Sequence, residues 1–184
     1  FELAATTRPY MRSSWAMVYA KGRGLDWIET QEDLKNLSEE KKSKLRIGIF
    51  DRGPATEWVF THGLMEYATP YQSMAGDARE TPGKLVEREL VNDDINLTFV
   101  WGPIAGYFAK QIEEADLVVI PMQNEPGLKF DYQISMAVRF GENEWKARLN
   151  AFIRDNQDEI DAVLEDFGVP LLPIRYAGPV DDDD

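Results

Sequence analysis

Short apolar runs alternate with polar segments along the chain, and most of these runs have the length of a strand. The runs that predict strands are 14–19, 45–50, 96–101, 117–120 and 132–140. Apolar residues at helical spacing predict helices over 30–37, 55–64, 82–91, 102–115 and 143–167. This alternation predicts an α/β fold, in which helices pack on the faces of a mostly parallel sheet.

The last of these helices has the clearest pattern. Its apolar residues fall mostly on one stripe, namely Trp145, Leu149, Phe152, Ile153, Ile160, Val163, Leu164 and Phe167. Charged residues occupy the opposite face, so we expect a core-facing helix whose aromatic residues are structural. Gly168 supplies a C-terminal cap and Pro170 prevents continuation.

Two connecting segments and the C-terminal tail lack such periodicity. Residues 38–44 are predicted to form a charged, solvated link, and residues 67–77, with Pro70 and Gly76, are predicted to form a loop. The four aspartates 181–184 are typical either of an acidic tail or of a tag remnant, and we leave them out of the fold.

The charge of the chain narrows the choice of partners. The formal net charge is −13, and such a surface repels nucleic-acid phosphates and anionic lipid headgroups. We therefore expect no nucleic-acid partner, and no apolar run reaches the roughly 18 residues of a membrane span. The acidity would attract a basic protein, but it is equally typical of a surface that only confers solubility.

Residues that could carry catalysis or bind metal are scarce. The absence of Cys excludes disulfides, thiol nucleophiles and zinc–thiolate sites, and no sequence motif of a hydrolase, nucleotide-binding enzyme or metalloprotease occurs. His62 lies among apolar neighbours in a predicted helix, which favours a core or rim position over a catalytic base. The acidic segment 92–96 lacks the spacing of a calcium loop. We expect no catalytic residue, no metal site and no cofactor.

Two strand-to-helix turns are candidate binding elements. One spans 50–56 and contains Asp51, Gly53 and Thr56; the other spans 100–104 and contains Gly102. In open α/β sheets ligands bind outside the carboxyl ends of the strands, where helix N-termini offer free N–H groups. The same residues are also typical of ordinary tight turns.

Several segments together resemble a known family. They are RPYMRSS (8–14), LRIGIF (45–50), FVWGPIAGYFA (99–109), ISMAVR (134–139), NQDEI (156–160) and FGVPL (167–171). The chain resembles the type II periplasmic binding proteins and, more narrowly, the MxaJ/XoxJ-type accessory proteins found with PQQ-dependent methanol dehydrogenases. The run from Trp101 to Tyr107 is the most specific part of the resemblance.

The resemblance implies two α/β lobes joined by two crossing strands. Residues 1–20 would cross into the second lobe, 21–130 would form that lobe, and 131–180 would hold the return strand and a long helix that packs on a remnant of the first lobe. Residues 181–184 would be the acidic tail. In this scheme one lobe is largely complete and the first lobe is mostly missing, because most of it is expected to precede Phe1.

The function implied by the resemblance is that of a periplasmic accessory protein rather than an enzyme. It would bind, and activate or mature, a lanthanide- or calcium-dependent methanol dehydrogenase that uses PQQ, with the cytochrome c acceptor of that enzyme as a further candidate partner. The candidate residues for the cleft or the partner contact are Arg8, Arg12, Asp51, Gly53, Thr56, Trp58, Trp101, Gly102 and Tyr107.

The alternative is a substrate-binding protein of an ABC transporter, specific for a small acid or an amino acid. The two functions differ in the cleft that they require. A receptor needs charged groups that converge on its ligand, usually an arginine for a carboxylate. An accessory protein should instead have a wide apolar or aromatic cleft.

Overall fold

A mixed sheet forms the centre of the computed structural model, which describes residues 4–50, 53–72 and 81–176. The sheet has the strand order β3-β2-β4-β1-β5, and β6 pairs with β1 outside this order. The strands are β1 (Ala5–Ala20), β2 (Ile47–Phe50), β3 (Ala68–Tyr71), β4 (Leu97–Trp101), β5 (Leu117–Pro121) and β6 (Asp131–Val138).

Helices connect most of these strands, which confirms the α/β prediction. They are α1 (Glu39–Lys42), α2 (Pro54–Thr61), α3 (Pro82–Lys84), α4 (Gly102–Gln111), α5 (Asn143–Asp155) and α6 (Gln157–Asp166). Two 3-10 turns, Gln31–Leu34 and Met65–Tyr67, precede α1 and β3, and a π-helical turn, Leu85–Leu90, extends α3. The predicted link at 38–44 therefore contains a short helix.

The sheet is mixed, and β1 is the strand that departs from the predicted parallel arrangement. β2 pairs in parallel with both β3 and β4, whereas β1 runs antiparallel to β4 and β5. Only the second half of β1, residues 15–20, lies in this sheet. Its first half, residues 5–14, pairs with β6 and forms a two-stranded extension that we call the β1–β6 ribbon.

Apolar side chains on the two faces of the sheet build two separate cores. In β1 the alternation of a strand sends Met17 and Tyr19 to one face and Ala16 and Val18 to the other. α2 covers the first face, while α4 and the π-helical turn cover the second. The sheet is therefore buried on both sides.

The segment predicted as a loop at 67–77 contains a strand, so that prediction is wrong for residues 68–71. β3 lies at the edge of the sheet, and Pro70 pairs there with Ile49. An edge position tolerates proline because one side of the strand needs no ladder donor. Residues 73–77 lie outside the described residues.

The predicted long helix is interrupted at Asn156. The backbone of this residue leaves the helical conformation, with φ −123° and ψ 21°, and its side-chain amide donates to the carbonyl of Phe152 over 2.7 Å. An asparagine side chain that bonds a neighbouring carbonyl competes with the helical ladder. The chain therefore forms two helices, α5 and α6, instead of one.

The expectation that α5 and α6 are core-facing is also wrong for most of the stripe. Among the described residues of the two helices only Ile153 is buried, whereas Trp145, Phe152 and Val163 are 47%, 54% and 59% exposed. The helices pack on the β1–β6 ribbon, whose two strands lie only about 5 Å apart. A helix is about 10 Å across, so the ribbon covers only part of the stripe.

The segment that follows α6 returns to the sheet. Gly168 and Gly106 of α4 meet backbone to backbone, and a Cβ atom at Gly106 would overlap the carbonyl oxygen of Gly168. Ser13 Oγ donates to the carbonyl of Pro170 over 2.7 Å. Two of the runs that carry the family resemblance are therefore packed against each other.

Candidate functional site

An open cleft lies at the carboxyl end of β2, where the helix α2 begins. We call it the α2 cleft; its volume is about 620 Å³. The residues that line it are Gly53, Pro54, Thr56, Glu57, Phe60, Met65, Gly127, Leu128, Lys129 and Tyr132. One wall is thus formed by α2 and the other by the loop 123–129, which precedes β6.

Apolar and aromatic side chains dominate the accessible surface of the cleft. Phe60 is 71% exposed, which is unusual for a residue of this size, and Met65 and Tyr132 are 39% and 37% exposed. Tyr132 contacts the half-buried Trp101 edge to face, with ring centroids 5.8 Å apart. Trp101 therefore borders the cleft through Tyr132.

Among the described residues that line the cleft, one carries a negative and one a positive charge. Glu57 is exposed on α2, and the ammonium of Lys129 lies 5.0 Å from the centre of the Tyr132 ring. An ammonium over an aromatic face is attracted by the ring quadrupole. Lys129 is thus already engaged within the protein, and Glu57 is left as an exposed carboxylate at the rim.

Gly53 and Thr56, both predicted as site residues, line the cleft but also shape it locally. The Thr56 hydroxyl donates to the carbonyl of Phe50, which fixes the turn from β2 into α2. A Cβ atom at Gly53 would lie 3.3 Å from the ring of Trp15. Asp51, the third candidate of this turn, lies outside the described residues.

Arg12 does not line the α2 cleft, and its guanidinium is paired within the protein. It is 6% exposed, and its guanidinium donates to a carboxylate oxygen of Asp131 and, over 2.8 Å, to the carbonyl of Pro173. Burial alone would raise the pKa of Asp131, but hydrogen bonds from Asn124 and Arg12 and the charge of Arg12 hold it below its usual value. Arg12 is therefore part of a structural ion pair.

Arg8 lies on the β1–β6 ribbon and also has contacts within the protein. Its backbone N–H donates to Asn150 Oδ1 over 2.8 Å, and its guanidinium carbon lies 5.0 Å from the centre of the Tyr176 ring. Its Nε is buried without a hydrogen-bond partner. Arg8 is not among the residues that line the α2 cleft.

The remaining candidates are dispersed. Trp58 is 0% exposed and offers no surface to a partner, contrary to the expectation of an exposed cleft aromatic. Gly102 is buried, and a Cβ atom there would overlap the carbonyl of Ser14. Tyr107 is 39% exposed but stacks on Phe167 at 6.2 Å, outside the α2 cleft.

Glu125 is the prominent residue that the sequence did not indicate. Its carboxylate accepts hydrogen bonds from Gln31 and, over 2.7 Å, from Trp58 Nε1, and it lies 3.1 Å from Lys35 Nζ and 3.3 Å from His62 Nε2. Burial alone would raise the pKa of Glu125, but these hydrogen bonds, that of Trp58 first, hold it below its usual value. Glu125 is thus a half-buried polar centre behind the cleft.

Neither a metal centre nor a membrane-spanning helix is found in the described part of the chain. Residues 4–50, 53–72 and 81–176 contain no group of three or more His, Asp or Glu side chains placed to hold a metal ion. Within the same ranges, none of the helices has both the length and the apolar character needed to cross a membrane.

Comparisons with known proteins found one similar sequence of known name and several similar structures. No family model matches the chain. Over 192 residues the chain is 25% identical to protein MoxJ of Paracoccus denitrificans; the match covers 94% of this chain but only 64% of MoxJ, so the chain spans less than two thirds of this relative.

Two solved structures are similar over nearly the whole chain. The periplasmic binding protein XoxJ of Methylobacterium extorquens AM1 superposes with a TM-score of 0.75 at 29% identity, over 94% of this chain and 74% of XoxJ. MxaJ of Methlophaga aminisulfidivorans MPT superposes with a TM-score of 0.70 at 23% identity, over 92% of this chain and 72% of MxaJ, and shows the shared fold. By sequence and by fold, the chain is similar to MoxJ and to the periplasmic binding protein XoxJ, and it shares its fold with MxaJ.

Proposed function

We propose that this chain is part of a periplasmic accessory protein of methanol oxidation that docks on a PQQ-dependent methanol dehydrogenase through the α2 cleft. The similarity to MoxJ and XoxJ supports a role in such a system. In this proposal residues 21–130 form the docking lobe, and α5 and α6 pack on the first lobe. The protein acts by binding the dehydrogenase and promoting its activation or maturation, and it does not turn over a substrate.

One observation favours docking over capture of a small acid. Of the two candidate arginines of the crossing strand, Arg12 is saturated by Asp131 and Pro173, and Arg8 does not line the α2 cleft. None of the described residues that line this cleft is an arginine. The cleft instead exposes Phe60, Met65 and Tyr132. Exposed aromatic side chains of this kind are typical of the anchor positions of protein interfaces.

The negative charge of the chain favours a partner whose binding surface is positively charged. A net charge of −13 attracts a partner patch of positive charge, and Glu57 places a carboxylate at the rim of the apolar cleft. Complementary charge mainly raises the association rate, whereas buried aromatic anchors set the lifetime of a complex. The docking segment of the dehydrogenase should therefore combine an apolar anchor with flanking lysine or arginine.

Replacement of Phe60 by alanine should weaken binding to the PQQ-dependent methanol dehydrogenase by about ten-fold or more, because the substitution removes the most exposed aromatic side chain of the cleft. The complex should also weaken between about 0.1 M and 1 M salt, since the Debye length falls from about 10 Å to 3 Å. Surface binding of the purified dehydrogenase at both salt concentrations measures both effects.

Phe152→Ala is the matched control for this experiment. Phe152 is 54% exposed on α5 and does not line the α2 cleft, so its replacement should leave the affinity unchanged. Equal losses in the two variants would place the interface elsewhere. Failure of the unsubstituted protein to bind at either salt concentration would overturn the docking proposal and favour the solute receptor.

Free amino acids should not bind tightly to this chain. Because Arg12 is already occupied by Asp131, the described residues provide no unpaired guanidinium in the cleft for an α-carboxylate. Calorimetric titration with the common amino acids should give dissociation constants no tighter than about 1 mM, or roughly −4 kcal/mol. A micromolar constant for any of them would support a transporter-type receptor.

A further inference from the structure

We propose that Glu125 is the positioning residue that fixes the distance between the two walls of the α2 cleft. The expected effect of Glu125 on dehydrogenase binding rests on the proposed docking function. Its role in holding the loop to α2 rests only on contacts within this chain. Glu125 belongs to the loop 123–129, and its carboxylate points away from the cleft into a buried group of donors. It therefore acts on the site from behind and does not contact a partner itself.

The donors to Glu125 come from two separate elements. Trp58 and His62 lie one helical turn apart on α2, so their side chains share one face of that helix. Gln31 and Lys35 belong to the 3-10 turn and the residue that follows it. A single carboxylate thus joins the loop to α2 and to the 3-10 turn.

The opposite sides of α2 and of the loop 123–129 form the cleft. α2 carries Glu57 and Phe60 on its wall, and the loop carries Gly127 and Lys129 on the other. The carboxylate of Glu125 bridges the backs of both walls. The spacing of the walls, and with it the shape offered to a partner side chain, is set by this bridge.

Other hydrogen bonds hold the loop but do not tie it to α2. The Gln123 N–H donates to Gln31 Oε1 over 2.6 Å, and the N–H groups of Glu125 and Leu128 each donate to the carbonyl of the other residue, over 3.0 Å and 2.9 Å. The ring of Trp58 packs against His62 with centroids 4.4 Å apart. Among the hydrogen bonds of the described residues, those that join the loop to α2 and its C-terminal cap are made by Glu125.

Charged groups around Glu125 favour its ionised form. Lys35 is shared between Glu125 and the exposed Glu32, whose carboxylate lies 2.6 Å from the same ammonium. A carboxylate with several donors is difficult to replace, because each buried donor left without an acceptor costs free energy. Glutamine at position 125 keeps one acceptor for Trp58, while alanine keeps none.

The test follows the loop and Trp58 by hydrogen exchange and NMR on the whole chain, without any partner. In Glu125→Ala the amides of Gln123 and Leu128 should exchange about ten-fold faster or more, while amides of the central strand such as Val18 stay unchanged. The indole N–H resonance of Trp58, identified with a Trp58→Phe variant, should shift strongly in Glu125→Ala and partly in Glu125→Gln.

Glu32→Gln serves as the matched control, because it removes the other carboxylate bound to Lys35 without touching the loop. Unchanged loop exchange and an unchanged Trp58 resonance in Glu125→Ala would overturn the positioning role. If Glu125→Ala does not fold, Glu125→Gln decides the question by the same two readouts.

A second measurement separates this inference from the docking proposal. Glu125→Gln should weaken dehydrogenase binding by several-fold although the residue does not line the cleft, and Glu32→Gln should not. A loosened loop together with normal affinity would mean that the wall spacing is irrelevant to docking, which overturns the positioning role. A loosened loop in a protein that never binds the dehydrogenase would remove the docking proposal and leave Glu125 as the residue that orders the loop.

Discussion

Replacement of Arg12 by alanine should lower the free energy of unfolding by about 3–5 kcal/mol, because it leaves the carboxylate of Asp131 buried without its main partner. The side chains of Arg12 and Asp131 are only 7% and 14% exposed. The substitution also removes the donor to the Pro173 carbonyl, which is one of the hydrogen bonds that join β1 to the C-terminal segment. Urea unfolding at neutral pH measures the loss.

The control for Arg12 is an arginine with an exposed ion pair. Arg139 is paired with Glu142 at 3.4 Å but its side chain is 90% exposed, so Arg139→Ala should change stability by about 0–1 kcal/mol. Arg12→Lys keeps the charge but cannot reach both acceptors with separate nitrogens, and it should recover only part of the loss. Similar small effects for Arg12→Ala and Arg139→Ala would contradict the structural role of Arg12.

A comparable loss is expected at Ile153, the buried residue of the α5 and α6 stripe. Ile153→Ala should destabilise the protein by about 2–5 kcal/mol, since the side chain is fully buried on α5, which packs against β1, and its removal leaves a cavity. The measurement is again urea unfolding. If the dependence of the unfolding free energy on urea concentration is the same in both proteins, the shift of the midpoint reports the change in stability.

The neighbouring Phe152→Ala provides the contrast. Phe152 is larger than Ile153 but 54% exposed, so its removal should cost less than about 1 kcal/mol. A larger cost than that of Ile153→Ala would mean that the exposed stripe is covered in solution. This comparison tests directly which side of α5 is buried.

The strands and helices of the sheet could be predicted from the sequence, since their apolar runs have strand or helix periodicity. β3 was not predicted because its two central residues, Thr69 and Pro70, are exposed and one of them is a proline. The break at Asn156 escaped because the stripe of apolar residues continues across it. In both places one local side chain overrides a pattern that spans many residues.

The site was harder to predict, because its contacts join distant parts of the chain. Glu125 meets Trp58 and Gln31 across 67 and 94 residues, and Arg12 meets Asp131 across 119 residues. A single sequence shows that these residues are polar or aromatic but not which of them face each other. Trp58 illustrates the limit, because its helix was predicted but the face of the helix that is buried was not.

The continuous strand β1 also determines how this protein can fold. Every described strand that pairs with β1 lies between residues 97 and 138, so β1 is synthesised well before any of its partners. Until then β1 presents an unpaired backbone edge with buried-type side chains at Ala16, Met17 and Val18. Such long-range pairing slows folding and exposes the chain to aggregation. Folding of this protein therefore depends on keeping β1 from aggregating until the residues from Leu97 onward have been synthesised.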